Sequence, residues 1–327
     1  MRSVTRDAIK TTCHRCRIGL MLASRLILAS LVIGFASAQT SVTANVGNFI
    51  HNVSDVERSA HFYHDVLGMD MPRPVGSWQT SEAVLKLYNA GTGRLRVANA
   101  QMEGSPMRME LAQFDADKGS PVKRAWGVAG NSILMLTVTD LTLIEQRVKS
   151  ENVPVLVASK KACDGRGIVV ADPDGFPVML IERAQAAPDA KSNITGLRFG
   201  HIVSSEALAS GPFTALGLKA QTRTHVCQPI EEALASGPST VITLQNGFEI
   251  WLFKGPAAPP HASVVPRDPG AAVLRFAVNE ADSAVKALQQ AGAKVASEGG
   301  VIQALTPGGQ NAAILQTFDD LLIQVLK

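Results

Sequence analysis

The chain has 327 residues, enough for about two domains of ordinary size. Apolar residues make up 46% and charged residues 18%, so the chain can build packed cores and is not a disordered composition. Residues 1–38 hold six of the 31 basic side chains and one of the 28 acidic ones, which leaves a body of 25 basic and 27 acidic residues with a net charge of −2. A weakly acidic body with 5% aromatic residues offers neither attraction to phosphates nor stacking platforms, and nucleic-acid binding is therefore excluded.

Residues 1–38 have the pattern of a secretory signal peptide. Basic side chains precede an apolar stretch, Leu20–Phe35, and three small residues ending at Ala38 suit a cleavage site. Arg25 interrupts the stretch and leaves too few consecutive apolar residues to span a bilayer. We therefore expect cleavage after Ala38, a periplasmic or secreted protein, and no membrane attachment after cleavage.

The sequence does not decide two features of the chain, the start of translation and the presence of a disulfide. Translation starts either at Met1 or at Met21, where a compact signal also begins. The body keeps two cysteines, Cys163 and Cys227, one in each half. An oxidising compartment permits a disulfide between them, but the sequence gives no distance.

One pattern recurs four times after the signal segment: an apolar strand, a polar capping residue, an amphipathic helix, and shorter strands that end in an apolar run. Asp55 and Asp140 are the predicted N-caps of the first two helices, and Gly68 is the predicted end of the first. Gly175 suits the left-handed position of the turn before the last strand of the second copy. Residues 184–193 form a polar linker between the second and third copies. The predicted opening and closing strands of the four copies are 46–53 and 107–114, 132–139 and 176–182, 197–203 and 247–253, and 272–278 and 320–326.

The order of these elements indicates an α+β fold. In each copy the helix follows the first strand, and two or three strands follow without another helix, whereas a doubly wound parallel sheet alternates more evenly. No glycine-rich phosphate motif follows a predicted strand, which gives nucleotide binding no support. No GxSxG motif is present, so hydrolase chemistry has no support either. The sequence therefore predicts four βαβββ modules.

Two motifs in the first half lie one domain length apart. The first is NVSDVERSAHFYHDVLG at residues 52–68, and the second is DPDGFP at residues 172–177. They resemble the opening and closing segments of the vicinal oxygen chelate superfamily, the group of glyoxalases, bleomycin-resistance proteins and extradiol dioxygenases. The resemblance is clear over residues 45–183 and fainter, but in register, over residues 194–327.

The resemblance implies two glyoxalase-like domains, residues 39–183 and 194–327, each with two modules around one cleft. The strands of the first two modules would then share one domain, and those of the last two modules the other. In metal-dependent members each cleft binds a divalent ion, which polarises vicinal oxygens of the substrate. The ligand positions would converge in each cleft; they fall on Asn48, Glu110, Ile133 and Met179 in the first domain, and on His201, Glu249, Val273 and Gln324 in the second.

The ligand positions of the first domain hold an amide, a carboxylate and two apolar residues. Such a set should not hold zinc, iron or manganese, so the first cleft is expected to work without a cofactor. Because a carboxylate among apolar residues needs a partner, we expect an arginine or Asn48 beside Glu110. Strand alternation sends His51 to the face opposite Asn48, which predicts a surface or interdomain histidine. His61 and His64 are predicted to be solvated helix positions.

The second domain retains more of the ligand pattern. His201, Glu249 and Gln324 could bind a divalent ion such as zinc, iron or manganese, provided that the imidazole approaches the carboxylate to about 3–4 Å. Alternatively, His201 and Glu249 form a buried hydrogen-bonded pair. Ring-cleaving dioxygenases require a second histidine at the position of Val273, so that activity is excluded.

Three functions remain from the sequence. The first is an exported protein that binds a small organic molecule in one or both clefts without a metal. The second is a metal-dependent lyase, isomerase or oxygenase that acts from the second domain. The third is a non-catalytic interaction module whose clefts are filled with side chains. The sequence gives neither the ligand nor the oligomeric state, since two domains in one chain can complete the module pairing internally.

Overall fold

The structure, a computed structural model, describes most of the chain from residue 44 onward. The described ranges are residues 44–71, 74–101, 107–115, 119–123, 125–162, 165–183, 193–223, 238–259, 263–306 and 309–327. The expected signal peptide, Cys163, Cys227 and residues 184–192 of the linker lie outside them. Within these ranges no helix is both long and apolar enough to cross a membrane.

Four modules follow one another along the chain, as the sequence predicts, but the first has a second helix where the sequence predicted only strands. The first contains β1 (Ala44–Asn52), α1 (Val56–His61), α2 (Glu82–Leu87), β2 (Leu95–Gln101) and β3 (Arg108–Phe114). The second contains β4 (Ser132–Val138), α3 (Leu141–Ser150), β5 (Val155–Ala162), β6 (Gly165–Ala171) and β7 (Pro177–Glu182). The third contains β8 (Ile194–Val203), α4 (Glu206–Ala215), β9 (Ala220–Arg223), β10 (Ser239–Thr243) and β11 (Glu249–Lys254). The fourth contains β12 (Ala272–Val278), α5 (Ala281–Gln290), β13 (Lys294–Val295), β14 (Gln303–Ala304), β15 (Asn311–Gln316) and β16 (Leu322–Leu326).

Local sequence chemistry sets the starts and ends of the helices. The Asp55 side chain accepts hydrogen bonds from the backbone N–H groups at the start of α1, and Asp140 does the same for α3, as predicted. The chain after α1 continues as a π-helical turn, Phe62–Val66, before Gly68 ends it with a φ of +82°. Gly175 takes a φ of +85° in the turn before β7, which confirms the predicted left-handed position.

The strands form two sheets of eight. Sheet A has the order β13-β15-β16-β12-β1-β3-β2, with β14 paired to β15. Sheet B has the order β5-β6-β7-β4-β8-β11-β10-β9. In sheet A the modules meet where β1 pairs antiparallel with β12, and in sheet B where β4 pairs antiparallel with β8. The mixed α+β architecture with two sheets of paired modules is thus confirmed.

The predicted grouping of the strands is wrong. Sheet A joins the first module to the fourth, and sheet B joins the second to the third. The boundary near residues 184–193 therefore separates two modules that share a sheet. The physical reason is that all four modules present the same kind of open first strand, so the local sequence does not decide which two strands pair. Each sheet contains strands from both halves of the chain, and the described residues from 44 onward form one compact unit.

The largest apolar cluster lies between the sheets and the main helices. It contains Phe49 from β1 and Phe199 from β8, whose ring centroids are 5.5 Å apart, together with the apolar faces of α1, α3, α4 and α5. The other face of each sheet is covered by a smaller apolar cluster, one on sheet A and one on sheet B. On sheet A that other face is covered by α2, which contacts β14 and β15. The candidate sites lie on these outer faces.

Candidate functional site

A cavity of about 220 Å³ lies between sheet A and α2. Its wall is formed mainly by apolar side chains, and Tyr88 and Phe114 contribute aromatic rings with centroids 5.1 Å apart. Four polar side chains also line the wall: Glu110, Arg275, Gln310 and Gln324. Three of them, Glu110, Arg275 and Gln324, form one hydrogen-bonded group, which we call the polar end of the cavity. Strands from the first and fourth modules therefore build this cavity together.

The polar end is centred on the guanidinium of Arg275. Its Nε donates to Gln324 Oε1 at 3.2 Å, and its Nη1 donates to Glu110 Oε2 at 3.5 Å. The Tyr88 hydroxyl donates to the same Gln324 oxygen at 3.5 Å. Burial raises the pKa of Tyr88, so the phenol stays protonated and keeps its donor. The cavity thus has fixed donors and one carboxylate at a single end.

The sheet register explains why these residues meet. Ile50 of β1 lies between Glu110 on β3 and Val273 on β12, and Arg275 lies beside Gln324 on β16. Because side chains alternate along each strand, Glu110, Arg275 and Gln324 point to the same face. The expectation of an arginine beside Glu110 is confirmed. The sequence did not identify Arg275 as that arginine, because its neighbours depend on the pairing of β1 with β12.

The four residues predicted to share the first cleft do not converge. Asn48 lies opposite Arg275 in the β1–β12 pairing, on sheet A with Glu110. Ile133 and Met179 lie on β4 and β7 of sheet B. The predicted convergence is wrong because it rested on the pairing of the first module with the second.

Ile133 and Met179 belong instead to a packed apolar cluster on the outer face of sheet B. Met135, Trp251 and Phe253 are in the same cluster, and all five side chains are buried. The rings of Trp251 and Phe253 stack with centroids 6.1 Å apart. Among the described residues, apolar side chains therefore occupy this face of sheet B at the place where the sequence predicted a cleft.

Glu249 lies at the rim of this apolar cluster, between two arginines. Its carboxylate receives Arg198 Nε and Arg223 Nη2, each at 2.9 Å, and Trp251 Nε1 at 3.1 Å. The Arg223 guanidinium also lies over the Trp251 ring, 5.2 Å from its centroid. The charge of Glu249 is therefore compensated by cationic side chains.

His201 is buried on the other face of sheet B, away from Glu249. Its Nδ1 lies 3.0 Å from Ser132 Oγ, and its Nε2 lies 3.0 Å from the backbone oxygen of Asp319. Gln324 lies in sheet A. The predicted convergence of His201, Glu249 and Gln324 is therefore wrong, and so is the alternative of a His201–Glu249 pair.

The misplacement of His201 has a simple cause. In the first module the ligand position, Asn48, lies seven residues before the N-cap Asp55. In the third module the N-cap is Ser205, and the position seven residues before it is Arg198. His201 lies three residues after Arg198, so strand alternation sends its side chain to the inner face.

His51 occupies the equivalent inner position in the first module. Strand alternation predicted its face, but not its complete burial. Its Nε2 lies 2.7 Å from Asp172 Oδ2, which also accepts a hydrogen bond from the Tyr63 hydroxyl at 3.2 Å. This buried cluster ties the first module to the DPDG turn of the second.

His61 and His64 are partly exposed on the helix, as predicted, and each contacts the Asp65 carboxylate at 2.6 Å.

The residues at the ligand positions do not fit a divalent metal ion. In the part of the chain that the structure describes, no group of three or more histidine, cysteine, aspartate or glutamate side chains is arranged to hold one. Glu110 and Glu249 are both bound by guanidinium groups, which are fixed cations that repel another cation. Among the described residues, neither outer face therefore offers the set of oxygen or nitrogen donors that such an ion requires.

A family model matches residues 46–180: the Glyoxalase/Bleomycin resistance protein/Dioxygenase superfamily. Among solved structures, the chain is similar to glyoxalase I from Zea mays, with 14% identity and a TM-score of 0.58 over 88% of this chain and 94% of that one. It is also similar to a "putative dioxygenase" from Bacillus subtilis subsp. subtilis str. 168, with 12% identity and a TM-score of 0.54 over 86% of this chain and 84% of that one. No curated protein matches the sequence at a significant level.

Fold and family model agree on the class of protein. The described chain has four modules, each a strand and a helix followed by further strands, which pair into two sheets, and the solved structures share this fold over most of their length. The match to the Glyoxalase/Bleomycin resistance protein/Dioxygenase superfamily covers the first two modules, and the solved structures show the same fold for the rest of the described chain. At these identities the solved structures establish the fold and leave the chemistry to the residues of this chain.

Proposed function

We propose that this protein binds a small organic molecule in the sheet A cavity and does so without a metal ion. The observation that carries the proposal is the position of Arg275 between Glu110 and Gln324. These two residues stand at metal-ligand positions in the family resemblance. A guanidinium there replaces a metal's positive charge with directed N–H donors, which suits hydrogen-bonded recognition.

The shape of the cavity supports binding. Pockets for small molecules are concave and mostly apolar, with a few polar groups that fix the orientation of the ligand. The sheet A cavity has this composition, since Glu110, Arg275 and Gln324 form one polar group in a mostly apolar wall. Gln324 Oε1 accepts hydrogen bonds from Arg275 and from Tyr88, and this arrangement holds the guanidinium in place.

The other outer face plays a different part in this proposal. The apolar cluster of sheet B is filled with buried side chains, and the carboxylate of Glu249 is already bound by two arginines. We therefore assign binding to sheet A and a structural role to the cluster on sheet B. If the signal peptide is cleaved as the sequence predicts, binding takes place in the periplasm or outside the cell.

The proposal is tested by ligand-observed NMR on the purified protein with a panel of one-ring compounds. Val84 of α2 lines the cavity, so the substitution Val84→Phe should fill it and abolish binding. Glu82 lies on the same helix and is largely exposed, so Glu82→Phe is a matched control that should leave binding unchanged. The hits should also survive treatment with EDTA.

Three results would overturn the proposal. One is a panel without any compound that binds. Another is binding that persists in Val84→Phe to the same extent as in Glu82→Phe. The third is binding that EDTA abolishes and zinc or manganese restores, because that would require a metal centre.

A further inference from the structure

We infer that the ligand of the sheet A cavity is an uncharged molecule of about one ring, with a hydrogen-bond donor and an acceptor side by side at one end. This inference rests on the proposed function. It names the chemical class of the ligand, which the cavity alone does not.

The size of the cavity sets the first limit. A cavity of about 150 Å³ in a protein core is large enough to bind benzene. Pockets for drug-sized ligands start at about 300 Å³. The sheet A cavity, with about 220 Å³, lies between these values and suits one ring with a small polar substituent. The rings of Tyr88 and Phe114 give it aromatic wall for such a ring.

The charged side chains of the wall limit the charge that the ligand can carry. Glu110 and Arg275 are the charged side chains among the described residues that line the cavity, and their Oε2 and Nη1 atoms lie 3.5 Å apart. Their charges cancel. A ligand carboxylate would face Glu110, and a ligand cation would face Arg275, so either would leave one charge poorly compensated in a mostly apolar space. An uncharged ligand avoids this penalty.

The two charged groups also define the polar end of the ligand. A carboxylate only accepts hydrogen bonds, and a guanidinium only donates them. A ligand that meets both must therefore offer a donor toward Glu110 and an acceptor toward Arg275. A primary carboxamide has this pair on one carbon, with N–H and C=O groups a short distance apart. Neighbouring hydroxyl and carbonyl groups would present the same pair.

The test uses three compounds of the same shape and different charge: benzamide, benzoate and benzamidine. Their dissociation constants are measured at pH 7 by NMR titration of the wild-type protein. We expect benzamide to bind at least about tenfold more tightly than either ion, since a hydrogen bond to an uncompensated charge changes binding by that order. All benzamide binding should be lost in Val84→Phe.

Two substitutions should change which of the two charged compounds gains affinity. Glu110→Gln leaves the charge of Arg275 uncompensated by Glu110, so benzoate should gain most in that variant. Arg275→Met does the opposite and should favour benzamidine. Glu57→Gln serves as a control, because Glu57 is an exposed carboxylate on α1 outside the cavity and lies 3.7 Å from Arg96. It should leave the order of the three compounds unchanged.

The outcomes separate the two proposals. If benzoate or benzamidine binds the wild type more tightly than benzamide, and Val84→Phe abolishes that binding, the uncharged class is wrong while the cavity remains the binding site. The class is also wrong if other compounds bind in a way that Val84→Phe abolishes but none of these three does. If no compound of the wider panel shows binding that Val84→Phe abolishes, the proposed function itself fails.

Discussion

Replacing Arg275 by methionine should destabilise the protein, because Glu110 would then lose its cationic partner inside a mostly apolar cavity. At 3.5 Å and an effective dielectric constant of about 20, the attraction between the two charges is about 5 kcal/mol before desolvation. The two side chains are only 21% and 18% exposed, so water screens the pair incompletely, but their desolvation in the wild type offsets much of the attraction. We expect Arg275→Met to lower the free energy of unfolding by about 1–3 kcal/mol.

The interaction is isolated by a double-mutant cycle with Glu110→Gln. Urea unfolding, followed by tryptophan fluorescence, gives the free energy of unfolding for the wild type, both single variants and the double variant. Arg275→Met in the Glu110→Gln background should cost about 1–2 kcal/mol less than in the wild type, because no carboxylate is stranded. If the two backgrounds lose the same free energy, the pair is not coupled, and the compensation of charge in the cavity is refuted.

Three further predictions concern the rest of the fold. Gly175→Ala should lower the free energy of unfolding by about 1–2 kcal/mol, since its φ is +85° and an added Cβ would meet no atom within 4 Å; a loss near zero in urea unfolding would contradict this. Asp172→Asn should lower the free energy of unfolding by about 2–4 kcal/mol in the same assay, because it puts an amide N–H against the Tyr63 hydroxyl and His51. An unchanged free energy of unfolding would be inconsistent with the buried cluster. Burial raises the pKa of Asp268, so the folded state holds this proton more tightly than the unfolded state, and its contribution to stability falls as the pH rises above the ordinary aspartate pKa of about 3.9. Asp268→Asn removes that dependence, so its stability relative to the wild type should increase with pH across this window, and a relative stability that falls with pH would reverse the assigned sign.

Local features of the fold could be predicted from the sequence because each depends on a few neighbouring residues. Asp55 and Asp140 cap their helices through contacts within three residues. The left-handed turn at Gly175 likewise needs only its own short segment. The partner of Glu110 could be predicted in kind, as an arginine or an amide, because the cost of burying a carboxylate does not depend on the pairing of the sheets.

The rest depended on contacts between distant parts of the chain. Arg275 meets Glu110 only because β1 pairs with β12, and four similar modules leave that choice open in the sequence. The position of His201 depended on the length of one loop, and an error of one residue in register exchanges the two faces of a strand. The apolar residues Ile133 and Met179 were identified as unsuited to bind metal, but their burial in a filled cluster required the structure.

The pairing of the first module with the fourth also dictates an order of folding. During synthesis, one edge of β1 stays open until β12 emerges, and His51 and Ala271, which meet at that seam, are 220 residues apart. At about 5–20 residues per second, that wait lasts roughly 10–45 s. Sheet B is made by consecutive modules and can close earlier, so we expect assembly to start in the middle of the chain. Until the last module is made, the edge of β1 that β12 later covers is exposed and can pair with a strand of another chain.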